Sequence, residues 1–118
     1  MMVVLDASGI LNAFGFRFDR KFFTTPKVIE EIKDLRSKSL VDVGFESGNL
    51  VVLIPSDKSL NRVKKVANEL GLLKKLSPTD IEVLALAYEK KDVLWTDDKA
   101  MRKVAEKLGI QVEKIIWD

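Results

Sequence analysis

The chain has 118 residues, a hydrophobic fraction of 47%, a charged fraction of 32% and a formal net charge of +2. These values are typical of one globular domain that buries a core without covalent staples. Cysteine and histidine are both absent, which excludes disulfides, thiol nucleophiles, zinc sites built on these residues and a histidine general base. Any chemistry must therefore use carboxylates, hydroxyls, lysine, arginine and a metal ion that carboxylates can bind.

No apolar stretch approaches the about 20 residues that a membrane span requires, and no signal-peptide pattern is visible. We therefore expect residues 1–118 to form a single cytoplasmic domain that has no membrane partner.

The predicted strands are short apolar runs rich in β-branched residues. They cover Met2–Leu5, Leu50–Ile54, Val93–Trp95 and Val112–Ile116, with a weaker candidate at Phe22–Thr24. Segments with helical periodicity separate them, and this alternation predicts a parallel sheet covered by helices on both faces.

The predicted helices are bounded by capping residues, prolines and a terminal glycine. Thr25 caps a helix that has Pro26 as its first residue and covers Lys27–Lys38; Ser56 begins a helix that ends near Gly71; Ser77-Pro78 begins one that runs to about Lys91; and the last covers Lys99–Leu108 before Gly109. The segment Ser39–Asn49 has the weakest pattern and is interpreted as a short helix.

Two of the predicted strands are followed directly by acidic residues. Asp6 ends the first strand in VVLDASG, and Asp97-Asp98 follow the VLWT strand. Ligands of open parallel sheets bind outside the carboxyl ends of the strands. Each acid could instead be a turn or helix cap, and Thr96, Asp97 or Asp98 could each cap the last helix.

Glu31 lies at the edge of an apolar helical stripe. The predicted helix after Pro26 has a buried stripe, and Glu30 projects away from it toward solvent. The alternative for Glu31 is a surface ion pair with Lys27, four residues earlier. The residues of this stripe are Val28, Ile29, Ile32 and Leu35.

Asp80 lies near the start of the segment SPTDIEVLALAYEKK, which is apolar nearly all round. Glu82 and Glu89 are interpreted as its exposed side. Asp80 precedes Leu84 by one helical turn and is expected to face the core, where an unpaired carboxylate is costly. The alternative is a variant capping box formed with Ser77.

Taken together, these positions predict that acidic side chains meet at one edge of the sheet. Four carboxylates without histidine or cysteine would repel one another unless a cation compensated their charge. Oxygen-only ligands favour Mg²⁺ or Mn²⁺ over zinc. The four residues are Asp6, Glu31, Asp80 and Asp98.

Four segments, in order and spacing, resemble the PIN domain nucleases over essentially the whole chain. They are VVLDAS, TTPKVIEEI, LSPTDIEVLALA and VLWTDDKAMRKVA. TTPKVIEEIKD and LSPTDIEVLALA are most similar to the branch that trims the 3′ end of small-subunit ribosomal RNA, and VapC-type toxins share the same framework. Members of the ribosomal branch usually carry a zinc ribbon after the PIN domain, and this cysteine-free sequence contains none.

The resemblance implies a three-layer α/β/α sandwich with a central, mostly parallel five-stranded sheet and an acidic pocket. It also implies a metal-dependent endoribonuclease that uses Mg²⁺ or Mn²⁺ and leaves a 5′-phosphate and a 3′-hydroxyl. The implied catalytic and metal-binding residues are Asp6, Glu31, Asp80 and Asp98, with Asp97 as an additional metal ligand and Ser8 and Thr96 as polar residues lining the pocket.

Single-stranded RNA as the substrate requires basic contacts beside the pocket. Any one of the candidates could instead belong to a solvated helix face. The candidates are Arg17, Arg20, Lys21, Lys33, Arg36, Lys38, Lys99, Arg102 and Lys103. Five phenylalanines near the first of these are expected in the core or a dimer contact, with one or two available for base stacking; they are Phe14, Phe16, Phe18, Phe22 and Phe23.

Three alternatives to a ribosomal RNA-processing enzyme follow from the sequence. A VapC-type toxin would bind an antitoxin protein, whereas a processing enzyme would associate with a ribosomal precursor; a homodimer is compatible with both. A non-catalytic PIN scaffold would bind RNA or protein. A phosphoacceptor receiver domain is disfavoured, because the first strand ends in one acid and no lysine suitably follows a late strand.

Overall fold

A computed structural model describes residues 2–12 and 20–113 of the chain. The elements are, in chain order, β1 (Met2–Leu5), α1 (Ala7–Asn12), β2 (Lys21–Thr24), α2 (Pro26–Glu31), α3 (Leu35–Ser47), β3 (Leu50–Val52), α4 (Asp57–Glu69), a 3-10 turn (Leu73–Lys75), α5 (Pro78–Lys90), β4 (Val93–Trp95), α6 (Lys99–Leu108) and β5 (Val112–Glu113).

The strands form one parallel sheet of five, in the order β3-β2-β1-β4-β5. The sheet lies between two groups of helices: α1 and α3 contact each other, and α4, α5 and α6 form the second group. This is the predicted α/β/α sandwich. The central strand β1 carries the fully buried Val3, Val4 and Leu5, as expected for a strand covered on both faces.

Helix α5 is the most deeply buried helix beside the sheet. Residues 81–87 are all buried, and the helix contacts β1, β4, α2, α4 and α6. A helix that is apolar nearly all round must be surrounded by other elements, so this part of the prediction is confirmed. As a consequence, the N-terminus of α5 is held in a fixed position at the carboxyl edge of the sheet.

The predicted helix over Lys27–Lys38 is in fact two helices. Helix α2 ends at Glu31, and Ile32 has extended backbone angles. Asp34 then caps a new helix by accepting a hydrogen bond from the Ser37 amide at 2.9 Å, and α3 continues to Ser47 through the segment predicted as a separate short helix. Because of this break, and contrary to the prediction, Leu35 does not belong to the buried face of α2 but is 83% exposed.

The remaining strand boundaries differ slightly from the prediction. Strand β3 ends at Val52 rather than Ile54, because its partner β2 ends at Thr24, which pairs with Val52. Ile54 is consequently 76% exposed. The predicted strand Val112–Ile116 begins as expected, and residues 114–118 lie outside the described residues.

A first helix was expected before Arg17 without bounds, and the structure begins helix α1 at Ala7. The other predicted helix boundaries agree within one or two residues with α4, α5 and α6. Within the described ranges, no helix combines the length and apolar character needed to cross a membrane.

Candidate functional site

The candidate site lies at the carboxyl ends of β1 and β4, where the strand order of the sheet reverses direction. These strands are neighbours in the sheet, yet α1, which follows β1, and α6, which follows β4, belong to different helix groups. In open parallel sheets such a point leaves a crevice in which ligands bind. Asp6 follows β1 and Thr96 follows β4 directly, so the topology alone brings polar groups from both strands to this crevice.

Asp6 caps the helix that follows it. Its Oδ1 accepts hydrogen bonds from the Ser8 hydroxyl at 2.7 Å and the Gly9 amide at 2.9 Å. A Cβ atom at Gly9 would stand 3.0 Å from Cδ2 of Leu5 and 3.6 Å from Oδ1 of Asp6, so the glycine allows close packing against Leu5 at the start of α1. Asp6 is only 8% exposed, so its carboxylate is both oriented and partly removed from water. The predicted pocket residue Ser8 thus contacts an acid of the site.

Asp80 belongs to the predicted capping box. Its amide donates to the Ser77 hydroxyl at 3.1 Å, and its Oδ2 accepts from the Ser77 amide at 2.9 Å. This reciprocal pair fixes the start of α5. The side chain is half-buried on the core side of the helix, as its position one turn before Leu84 predicted.

Asp98 caps α6, with its Oδ1 accepting from the Met101 amide at 2.9 Å. The Asp98 amide in turn donates to the hydroxyl of Thr96 at 3.2 Å, and Thr96 is fully buried. Thr96 therefore orients the turn that carries Asp98, and its role as a polar residue lining the pocket stays a prediction. Asp97 is exposed, and its carboxylate makes no hydrogen bond with a described residue.

Glu31, the last residue of α2, is linked to the start of α5. Its Oε1 accepts a hydrogen bond from the Thr79 hydroxyl at 2.8 Å. Thr79 immediately precedes Asp80, so this bond brings Glu31 to the same helix end. The alternative ion pair between Glu31 and Lys27 is not formed among the described residues, in which the ion pair is Arg20 with Glu113.

The charges of three of these acids interact. Burial raises the pKa of Asp80 above its usual value, and the negative charges of Asp98 and Asp6 raise it further, while the hydrogen bonds from Ser77 lower it. When like charges lie near one another, each one disfavours the ionised form of its neighbours, as Asp98 and Asp6 do for Asp80. Among the described residues, however, no group of three or more acidic side chains stands ready as a metal site.

The four acids share one feature that bears on a cation. Each uses a single carboxylate oxygen for the hydrogen bonds given above, and the second oxygen accepts none from the described residues. The second oxygens are Oδ2 of Asp6, Oε2 of Glu31, Oδ1 of Asp80 and Oδ2 of Asp98. Such a set has the chemistry of a hard-cation site, with ligand orientation fixed by hydrogen bonds at the other oxygen.

One acid of α5 is placed differently from the prediction. Glu82 was interpreted as marking the exposed side, but it is 8% exposed and its Oε1 accepts from the Lys27 amide at 3.1 Å. It satisfies a free amide of the first turn of α2. Glu89 is half-buried and accepts from the Ser56 amide at 2.8 Å and the Ser59 hydroxyl at 3.1 Å, so it supports the start of α4.

Sequence reasoning did not select two threonines that position the acids. Thr79 holds Glu31, and the buried Thr24 donates to the carbonyl of Leu5 at 3.0 Å, directly before Asp6. The available signal was a threonine in each of two segments that also contain a predicted acid, TTPKVIEE with Glu31 and SPTD with Asp80. This signal is weak, because serine and threonine hydroxyls also cap helices, as Thr25 does for α2.

The basic residues predicted to contact RNA do not form one group, because some lie at the amino ends of the strands and others at the carboxyl ends. Arg20 pairs with Glu113 at 3.3 Å and lies 5.6 Å from the ring centroid of Trp95. Arg20 and Lys21 lie at the amino end of β2, whereas Lys99 directly follows Asp98. The candidates Lys33, Arg36, Lys38, Lys99 and Lys103 are exposed and Arg102 is half-buried. Arg17, Phe14, Phe16 and Phe18 lie outside the described residues, and Phe22 and Phe23 are buried.

A family model and several known proteins match the sequence of this chain. The family model for the PIN domain of ribonuclease matches residues 3–89. The chain is 39% identical to "Endoribonuclease Nob1" of Pyrococcus abyssi over 94% of its own length and 66% of that relative. It is 34% identical to "Ribonuclease VapC3" of Aeropyrum pernix over 96% of its length and 85% of that relative.

A solved structure extends the likeness to the fold. A chain in the crystal structure of VapBC2 from Rickettsia felis, bound to a DNA fragment from their promoter, superposes with a TM-score of 0.70 at 15% identity, and the match covers 100% of both chains. The family match, the sequence relatives and the shared fold lead to one conclusion: this chain belongs to the PIN domain family.

Proposed function

We propose that the chain is a metal-dependent endoribonuclease that hydrolyses phosphodiester bonds of single-stranded RNA. Asp6, Glu31, Asp80 and Asp98 would hold Mg²⁺ or Mn²⁺, and Asp97 would be an additional ligand. The observation that carries the proposal is geometric: at one edge of the sheet, each of the four acids has one carboxylate oxygen oriented by an amide or hydroxyl, while the other oxygen accepts no hydrogen bond from a described residue.

The names of the sequence relatives support nuclease activity. Both are ribonucleases, and the aligned part of this chain includes nearly all of its residues. A role in ribosomal RNA processing, with a ribosomal precursor as partner, is favoured because the chain is also 31% identical, over 86% of its length, to the "20S-pre-rRNA D-site endonuclease NOB1" of Saccharomyces cerevisiae. The chain spans about two thirds of the length of the Pyrococcus abyssi relative, so this role is inferred from the shared part.

The residues of the site fit a divalent ion by their chemistry. They offer oxygen ligands alone, each with one oxygen already oriented by an amide or hydroxyl and one available. A bound divalent ion would neutralise the phosphodiester charge and lower the pKa of a water molecule. Binding one ion requires the four side chains to close on it, because the described acids do not form a ready-made site.

The chain's own residues have separable tasks in this proposal. Ser8 and Gly9 hold Asp6, Thr79 holds Glu31, and Ser77 holds Asp80. Asp80, whose pKa is raised mainly by burial, is suited to orienting a water molecule. No side-chain nucleophile is needed.

The decisive experiment compares the wild type with Asp80→Asn on labelled single-stranded RNA in Mn²⁺, Mg²⁺ or EDTA. Asparagine retains an oxygen that can accept from the Ser77 amide, so the capping box can persist while the charge is lost. We expect metal-dependent cleavage by the wild type and none by the variant. Equal cleavage in EDTA, or by the variant, would contradict the proposal.

Asp34→Asn is the matched control. Asp34 also caps a helix, through the Ser37 amide, but its pKa is lowered by its hydrogen bonds with Ser37, and none of the four acids contributes. We expect this variant to cleave RNA as the wild type does. A similar loss in both variants would indicate a general effect of removing a capping charge.

A VapC-type toxin ribonuclease is the second candidate, because the chain spans 85% of the VapC3 relative. Such a protein would bind an antitoxin and arrest growth when expressed alone. A processing enzyme would instead co-sediment with ribosomal precursors. Expression of wild type and Asp80→Asn, followed by growth curves and gradient sedimentation, separates the two roles.

A further inference from the structure

A basic groove lies at the edge of the sheet opposite the acids. It has a volume of about 1050 Å³ and is lined by the first half of α4, the end of α5, the start of β4 and the turn between α6 and β5. We define it by Lys58, Arg62, Lys65, Tyr88 and Lys91, and refer to it as the distal groove. The proposed metal ligands do not line it.

The three cations from α4 lie on one face of that helix. Lys58, Arg62 and Lys65 follow one another at intervals of four and three residues, which places them in a row along the helix. The row extends about 10 Å at 1.5 Å per residue. All three are exposed, so the row is presented to solvent along the groove.

The cations of the distal groove lack acidic partners. None forms an ion pair with a described carboxylate. The acids that line the groove are Glu89 and Asp92, and Glu89 is engaged by the Ser56 amide, which lowers its pKa. The four cations therefore exceed the local negative charge, a balance that favours an anionic ligand.

Two further features favour a nucleic-acid strand over a single phosphate. Tyr88 is half-buried and lines the groove, where an aromatic ring can stack on a base beside a row of cations. Lys91 has a left-handed backbone with φ of 56°, a conformation that normally favours glycine. At this position a glycine would be less strained, whereas Lys91 adds a fourth positive charge to the groove.

We propose that the distal groove binds a segment of single-stranded RNA remote from the cleaved bond. The proposal rests on the proposed function for its substrate class, and it adds a second contact that only a long RNA can reach. Because the groove and the acids lie at opposite edges of the sheet, a short RNA held at the acids would not extend to it.

The test measures RNA binding and cleavage with a short RNA of about 5 nucleotides and a long one of about 20, chosen to bracket typical site sizes. Binding is measured in EDTA and cleavage in Mn²⁺. The variants are Arg62→Gln with Lys65→Gln, and Lys91→Gly. The control is Lys64→Gln, which removes an exposed lysine of the same helix that does not line the groove.

For the double variant we expect weaker binding and slower cleavage of the long RNA, with the short RNA unaffected. The slope of log affinity against log salt should fall by about 0.7 for each cation removed. Lys91→Gly should weaken long-RNA binding without lowering the melting temperature, which separates the effect from unfolding. Lys64→Gln should behave as the wild type.

Wild-type affinity and salt slope in the double variant would overturn the proposal, as would an equal loss in Lys64→Gln. A change in sedimentation coefficient without a change in RNA binding would assign the groove to a second copy of the chain instead. Failure of the proposed function has a different signature: neither RNA would be cleaved by the wild type in Mn²⁺, while the binding measurements in EDTA would still report on the groove.

Discussion

The acids at the candidate site each have a structural task as well as a proposed catalytic one. Asp6, Asp80 and Asp98 cap α1, α5 and α6, and Glu31 receives the Thr79 hydroxyl. From the sequence, capping and metal binding were alternatives for the same residue. They are compatible, because a carboxylate has two oxygens and a cap occupies one.

The positions of the acids were predictable, but their partners were not. Asp6 and Asp98 follow the ends of apolar strands, and Asp80 lies in the segment SPTD, which has the pattern of a helix start. All of these are local signals in the sequence. Thr79 and Glu31 are far apart in the sequence, and Thr24 contacts Leu5 across neighbouring strands. Such contacts depend on the register of strands and the packing of α2 on α5, which periodicity does not specify.

Asp80→Asn should raise the stability of the metal-free protein above the acid range. A carboxyl group whose pKa is raised on folding destabilises the fold once it ionises. For the wild type, stability should therefore decrease as pH rises from the unfolded pKa near 3.8 through the raised folded value, and the variant should lack this decrease. Urea unfolding in EDTA at several pH values measures both.

Asp34→Asn should change stability in the opposite direction. The hydrogen bonds from Ser37 lower the pKa of Asp34, so its ionised form contributes stability above the unfolded pKa, and this contribution is lost as pH falls through the folded pKa. At neutral pH the variant should be less stable than the wild type. Equal shifts of the same sign in both variants would show that the acids at the sheet edge do not repel one another.

Thr79→Val should impair the proposed site through Glu31. The substitution removes the hydroxyl that orients Glu31, and loss of such an outer partner typically costs about 10–100-fold in metal affinity or activity. Thr79→Ser retains the hydroxyl and should restore both. Mn²⁺ titration by isothermal calorimetry, beside cleavage assays, tests this; wild-type metal affinity in Thr79→Val would show that the bond has no role in the site.

At the scale of elements, side chains of α5 accept hydrogen bonds from the backbone at the starts of three helices. Its own start is closed by Ser77 and Asp80, its Glu82 supports the start of α2, and its Glu89 supports the start of α4. The same helix contacts β1 and β4. The elements that carry the acids are thus positioned against one buried helix, which explains why acids distant in the sequence reach one edge.

The sequence predicted helix boundaries well wherever a cap or glycine marked them. Ser56, Ser77, Asp98 and Gly109 all bound helices as expected. The break between α2 and α3 was missed because the apolar spacing continues across it, and Asp34 with Ser37 is a local capping pair that competes with that spacing. Glu82 was misplaced because a buried acid with an amide partner cannot be distinguished from an exposed one by periodicity alone.

Glu82→Ala should lower the free energy of unfolding by about 1–3 kcal/mol, because it leaves the Lys27 amide without its partner and removes a buried side chain. Glu82→Gln retains an acceptor and should cost less. Glu30→Ala, an exposed change in the supported helix, should stay within about 0.5 kcal/mol. Urea unfolding measures all three; equal stabilities of Glu82→Ala and Glu30→Ala would show that the contact is not stabilising.

At the scale of the whole molecule, the strand order determines where a ligand can bind. Alternating strands and helices predicted the sandwich, but local patterns do not determine that β1 lies between β2 and β4. The order arises from long-range pairing of apolar strands and right-handed crossovers. The crevice between the ends of β1 and β4 is therefore a property of the complete sheet.

A divalent ion held by acids from several elements should stabilise the whole fold. At a free Mn²⁺ concentration about 100 times the dissociation constant, binding to the native state adds about 2.7 kcal/mol. We expect the melting temperature of the wild type to rise with Mn²⁺ and that of Asp80→Asn to rise much less. Scanning calorimetry measures both, and equal increases would indicate that the ion binds elsewhere.

The central position of β1 has a consequence for synthesis. This strand leaves the ribosome first among the described elements, yet its neighbour β4 begins only at Val93. Until that strand has been translated, the nascent chain cannot bring Asp98 beside Asp6, and the two halves of the crevice stay apart. Any hydrolytic capacity of this sheet edge thus requires that β4 and the turn carrying Asp98 have been translated and have paired with β1.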